Sequence, residues 1–252
     1  MPINPLYLFP NLFTASSIFL GMMSIFYASS YQFVMACWLV VASLILDGLD
    51  GRVARLTNTT SKFGIEFDSL ADVIAFGVAP SLIAYFYVGY NFGRIGMAVS
   101  ALFVIFGAIR LARFNISTNT SDPYSFIGIP IPAAAVLVVL CVLLDNKYHF
   151  LEGNTEKLFL SFIVLLGVLM VSNIRYPNFK KVKWNLKLFI LVLIFLSLVF
   201  VRPLEALSVF MGLYLIYGII RWLFLMVKII FNKIKVHERI FLHRGNDLHG
   251  VF

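Results

Sequence analysis

The chain has 252 residues, of which 61% are hydrophobic and only 13% charged, and its mean hydropathy is +0.93. A water-soluble domain of this length does not carry so little charge, so soluble classes are excluded and several membrane spans are expected. The net charge of +8 is spread along the chain with no stacking platform beside it, which argues against a nucleic-acid partner.

The N-terminal stretch MPINPLYLFPNLFT has neither a basic n-region nor a small-residue cleavage site, and is expected to belong to the mature protein as a short interfacial helix. Eight apolar spans follow, at about 12–29, 32–52, 70–90, 94–113, 129–145, 157–174, 186–202 and 204–228. Gly128, Pro130 and Pro132 predict a kinked or unwound entry to the fifth. Cys37 and Cys141 stand in separate apolar stretches without CxxC or Cys–His spacing, so neither a disulfide nor zinc follows. No internal repeat or linker interrupts the pattern, and a single all-α membrane domain, a polytopic helix bundle, is expected over 1–252.

Between the second and third spans the chain reads DGLDGRVARLTNTTSKFGIEFDSLAD, residues 47–72. Asp47 and Asp50 stand three apart, and Asp68 and Asp72 four apart, so each pair shares a helix face. The polar segment Thr57–Ser61 is a plausible turn that folds one pair onto the other. An aspartate near lipid costs roughly 2.5–3.5 kcal/mol on insertion scales, so four together require a compensating partner. A divalent cation is the natural one, because hard ions prefer carboxylate oxygen. Small Gly51 and Ala54 on the same helix suit either close helix packing or the approach of a flat group to the backbone, and Arg55, taken alone, reads as a positive-inside anchor.

The basic residues orient the bundle. Sixteen of the twenty lysines and arginines fall on the side of the loops after spans two, four and six and of the C-terminal end. The positive-inside bias therefore places both termini and the acidic cluster at the cytoplasmic face of an inner membrane. Lys180, Lys181, Lys183 and the basic tail are expected to rest on anionic lipid.

The pattern Asp47-x2-Asp50-Gly51-x2-Ala54-Arg55-x8-Gly64-x3-Asp68-x3-Asp72 resembles, without a departure, the signature of the CDP-alcohol phosphotransferases. That resemblance implies the family's fold of about eight transmembrane helices, and transfer of a phosphatidyl-type group from a CDP-linked donor to an alcohol with release of CMP. It implies a core over 1–180, additional helices over 181–230, a basic cytoplasmic tail over 231–252, and a homodimer. It also implies two ions, Mg2+ or Mn2+, with Asp47, Asp50 and Asp68 on one and Asp47, Asp68 and Asp72 on the other. Asp72 becomes the general base, while Asn11, Gly51, Ala54, Arg55 and Ser61 would hold CDP-diacylglycerol.

Three further stretches resemble the branch of the family that makes phosphatidylserine: Phe63–Asp72 continuing to Pro80, Arg110–Asn115 followed by Phe126–Pro132, and Met170–Pro177. L-Serine is the acceptor that this branch implies, with Arg110, Arg113, Asn115 and Glu66 as candidate contacts for its charged groups. Phe67-Asp68-Ser69 departs from the Leu-Asp-Pro of the glycerol-phosphate branch. Inositol phosphate or glycerol phosphate are the alternative acceptors, and a cation or proton transporter is the competing class, which requires acids nearer mid-membrane.

Overall fold

A computed structural model describes residues 8–117, 125–177 and 186–224. The helices are α1 (Leu8–Ser29), α2 (Phe33–Leu56), α3 (Lys62–Asp72), α4 (Ala79–Tyr87), α5 (Arg94–Ser117), α6 (Ile131–Tyr148), α7 (Asn154–Val171) and α8 (Leu186–Val201). A last helix, α9, covers Pro203–Phe224. Among the described residues seven helical rods are long and apolar enough to cross a membrane, with Leu188–Val201 as a shorter apolar helix. Phe19, Phe26 and Phe200 are 62%, 57% and 90% exposed, an outward apolar surface that only lipid can solvate. The chain is an integral membrane protein built as an all-α bundle.

α1 and α2 form a tight antiparallel hairpin, closed at Tyr31 in the left-handed region (φ 61°). Its packed seam is polar as well as apolar. Ser17 and Ser43 share a hydroxyl bond at 2.7 Å, and the Ser24 hydroxyl donates to the Ala36 carbonyl at 2.9 Å. All three serines are buried, so each pairing satisfies groups that lipid or core could not.

α3, a π-helical segment (Val73–Val78) and α4 form one continuous rod from Lys62 to Tyr87. This third span starts about two turns earlier than hydropathy suggests, because Ser61 caps it. The Ser61 hydroxyl accepts the Gly64 N–H at 3.0 Å. α1 crosses the rod at the π segment, where a methyl on Gly21 would stand 2.9 Å from the Ala75 backbone. The core lies around α4 and α6, with Phe76, Ile83, Ile131, Val138 and Val139 fully buried.

Two three-residue strands, unforeseen in the sequence, pair antiparallel: β1 (Ser125–Ile127) with β2 (Arg175–Pro177). They tie the segment before α6 to the one after α7. Gly128 sits at φ 76°, and a side chain there would run into the Met170 carbonyl. Its N–H donates to the Ile174 carbonyl at 2.7 Å. Pro130 is extended (φ −60°, ψ 140°), so the entry to α6 is unwound as expected. The lysine cluster 180–183 and the basic tail lie outside the described residues.

At the end of the bundle away from Asp47 and Asp50, Asp145 accepts hydrogen bonds from the Tyr87 hydroxyl and the Leu151 N–H. Beside it Lys147 pairs with Glu205 at 2.5 Å, fastening α6 to α9.

Candidate active site at one end of the bundle

The last turns of α2 carry Asp47 and Asp50, and the turn at Thr57–Ser61 brings Asp68 and Asp72 of α3 back alongside them. One carboxylate oxygen from each of Asp47, Asp50 and Asp68 lies within 4.8 Å of the others. Among the described residues no other His, Cys, Asp or Glu group gathers this way. Asp72 joins from the next turn of α3: it contacts Asp47, while Asp68 contacts Asp50 across the helix pair.

Among the described residues no cation comes within 4.0 Å of these carboxylates, and the only ion pair at that distance is Lys147–Glu205, at the far end. Oδ1 of Asp68 and Oδ1 of Asp72 are both buried and accept no hydrogen bond. Buried carboxylate oxygens without donors are strongly unfavourable. An all-oxygen, all-anionic donor set with vacant lone pairs suits a hard divalent cation, so the residues present fit the metal that the sequence pattern implies.

An open cleft of about 220 Å³ adjoins the acids. Asn11, Gly51, Ala54, Arg55 and Ser61, the residues expected around the donor, all line it together with Asp50 and Asp68. Gly64 forms a narrow wall: a methyl there would stand 3.2 Å from the Ser61 hydroxyl and 3.6 Å from Asn11 Oδ1. Thr14, Thr59 and Thr60 also line the cleft and were not singled out in the sequence. Thr14 is 4% exposed and donates to Asp50 Oδ2 at 2.7 Å, while the Gly51 N–H donates to Asp50 Oδ1. Thr14 closes the stretch Pro10–Thr14, which resembles the family's lead into the first helix, but the partner of its hydroxyl becomes visible only once α1 packs on α2.

The four residues expected near the acceptor separate. Arg110 is 6% exposed, lies within electrostatic range of Asp72, and keeps its buried Nε without a hydrogen-bond partner. Asn115 bridges α5 to α3, donating to the Ser69 hydroxyl at 3.1 Å and to Glu66 at 3.4 Å. Arg113 turns to the end of α7, where it donates to the carbonyls of Val171 at 2.7 Å, Ser172 at 3.1 Å and Met170 at 3.3 Å. Those carbonyls lack helical partners, so the guanidinium satisfies the helix terminus.

Residues 7–172 match the family model described as CDP-alcohol phosphatidyltransferase. The chain is 98% identical over 235 residues, covering 93% of it and 99% of the relative, to a Helicobacter pylori (strain J99) protein named CDP-diacylglycerol–serine O-phosphatidyltransferase. A Methanocaldococcus jannaschii protein of the same name is 38% identical over 73% of this chain and 83% of its own. An archaetidylserine synthase from Methanothermobacter thermautotrophicus is 36% identical over 67% of this chain and 69% of its own.

Proposed function

Since the chain belongs to the CDP-alcohol phosphatidyltransferase family, we propose that it transfers the phosphatidyl group of CDP-diacylglycerol to the hydroxyl of L-serine, giving phosphatidylserine and CMP. The observation that carries this reading is the placing of the convergent aspartates beside one cleft that holds all five expected donor contacts. The serine acceptor is favoured by the names of the relatives above and by a buried arginine within electrostatic range of Asp72.

Asp47, Asp50, Asp68 and Asp72 are the residues that would hold divalent metal, two ions of Mg2+ or Mn2+ in our reading. Bound there, the metal supplies charge neutralisation for a pyrophosphate and its departing phosphate. Arg55 forks onto a donor phosphate. Gly51 and Ala54 leave the floor of the cleft open to the cytidine, while Asn11 and Ser61 bound its rim. The serine hydroxyl oxygen forms a bond to the lipid-side phosphorus as the bond from that phosphorus to the CMP oxygen breaks. The hydroxyl proton passes to Asp72, whose unpartnered Oδ1 is the free acceptor. Arg110 receives the serine carboxylate, and Glu66, steadied by Asn115, receives the ammonium.

In this reading the site opens to the cytoplasm from an inner membrane, where nucleotide and amino acid arrive from water and the lipid stays in its leaflet. Residues 1–180 form the catalytic core, with the following helices and tail as additions, and the working unit is a homodimer.

The test is purified protein with CDP-diacylglycerol, Mn2+ or Mg2+ and a panel of alcohols, following CMP. Serine-dependent, metal-dependent release is expected. Release driven by glycerol phosphate or inositol phosphate in place of serine would overturn the acceptor, and ion flux without nucleotide would overturn the enzyme.

A further inference from the structure

Asp50 differs from its three acidic neighbours in being held by hydrogen bonds on both oxygens. The Gly51 N–H donates to Oδ1, and the Thr14 hydroxyl reaches across from α1 to Oδ2 at 2.7 Å. By contrast, Asp68 and Asp72 each leave Oδ1 buried and unpartnered. Thr14 and Asp50 are 4% and 6% exposed, so the bond is largely shielded from water at the edge of the cleft. The Thr14 hydroxyl also lies 3.2 Å from the Pro10 carbonyl, an acceptor that takes the same proton only when Asp50 does not.

The bond is one rung of a longer polar ladder. Ser24 meets Ala36, Ser17 meets Ser43 and Thr14 meets Asp50, each step further from the Tyr31 turn. Every side-chain hydroxyl in it is buried. Rungs of this kind fix the axial register of two antiparallel helices, because a shift of one helix by a turn would strand every hydroxyl at once. The register they fix sets the α1 threonine opposite the carboxylate.

We propose that Thr14 is a positioning residue for the metal site: its hydroxyl fixes the rotation of the Asp50 carboxylate, and the α1–α2 ladder holds that hydroxyl in place. Partners that orient metal ligands commonly change metal affinity about 10–100-fold when lost. This inference rests on the divalent-metal reading of the acidic cluster but not on serine as the acceptor.

The experiment is Mn2+ titration of the purified full-length protein in detergent, without donor or acceptor, reading free Mn2+ by electron paramagnetic resonance. Thr14→Val keeps the shape and removes the hydroxyl, and is expected to bind Mn2+ about 10–100-fold more weakly. Thr14→Ser is expected to restore binding to within about threefold of the parent, since the hydroxyl returns. Metal-free melting temperature of each variant reports the fold separately.

Unchanged Mn2+ affinity in Thr14→Val overturns the proposal, and so does a variant that loses only CDP-diacylglycerol affinity, which would make Thr14 a direct donor contact. If Thr14→Val does not fold, Thr14→Ala carries the same comparison, and loss of fold in both assigns Thr14 to packing alone. Parent protein that takes up no Mn2+ removes this inference and the metal reading together. Parent protein that binds Mn2+ but ignores serine removes only the acceptor.

Discussion

Asp72 of α3 and Arg110 of α5 lie within electrostatic range of each other, one with a buried unpartnered oxygen and the other with a buried unpartnered nitrogen. In the proposed reaction they have separate tasks, so their variants should fail differently. Asp72→Asn is expected to keep CDP-diacylglycerol binding but lose about 10²–10⁴-fold in turnover, as removal of a general base does; single-turnover CMP release against donor binding measures the split. Arg110→Ala is expected to raise the KM for serine far more than the KM for the donor, and equal effects on both would leave Arg110 a structural role. Arg113 stands apart from these two. With its guanidinium on the α7 carbonyls, Arg113→Ala should lower the melting temperature, by about 1–3 kcal/mol of stability, and leave the serine KM nearly unchanged. The acids were legible in the sequence because a carboxylate in an apolar chain is conspicuous. The capping role of Arg113 was not, since its acceptors lie 57–59 residues away and exist only once α5 and α7 pack.

Among the elements, the π segment after Asp72 explains a spacing that a plain α-helix does not. Gly64, Asp68, Asp72, Phe76, Pro80 and Ala84 recur every four residues, and an α-helix drifts by about 40° over each such step. The wider turn at Val73–Val78 slows that drift, so the carboxylates and the buried Phe76 and Ala84 stay on the inward side of one rod. Helix and span were both legible from hydropathy, but a π turn has no local residue signature and becomes visible only in three dimensions. The β1–β2 strap was likewise hidden, being two strands of three residues paired across two helices. Its weak point is Gly128, which combines φ 76° with a backbone neighbour where a side chain would sit. Gly128→Ala is expected to cost about 1–3 kcal/mol, read as a lower melting temperature in detergent, with CDP-diacylglycerol affinity nearly intact.

At the scale of the whole molecule, the two ends of the bundle differ in kind. One gathers carboxylates around a cleft, and the other is closed by a Tyr87–Asp145 hydrogen bond and a Lys147–Glu205 ion pair, with Glu205 Oε2 left without a hydrogen bond. The orientation proposed from the arginines and lysines puts the acidic end in the cytoplasm. A reporter fused at Asn154, in the turn that opens α7, is expected to appear outside the cytoplasm; cytoplasmic activity there would reverse the topology. The span count was legible because twenty apolar residues have few other uses, and the charge bias needed only loop positions. The relative placement of α5 against α3, where the proposed acceptor contacts lie, depended on packing and was not.

The cleft draws its walls from α1, α2 and α3, all within the first 68 residues, whereas the residues assigned to the amino acid depend on α5. In the proposed reaction the nucleotide is met by α1, α2 and α3, and the alcohol by Glu66 of α3 together with Arg110 of α5. Under that assignment, substitutions at the end of α5 are expected to alter the choice of headgroup while the cleft between α1, α2 and α3 stays as it is, a division of labour that would let one scaffold supply a membrane with chemically different lipids.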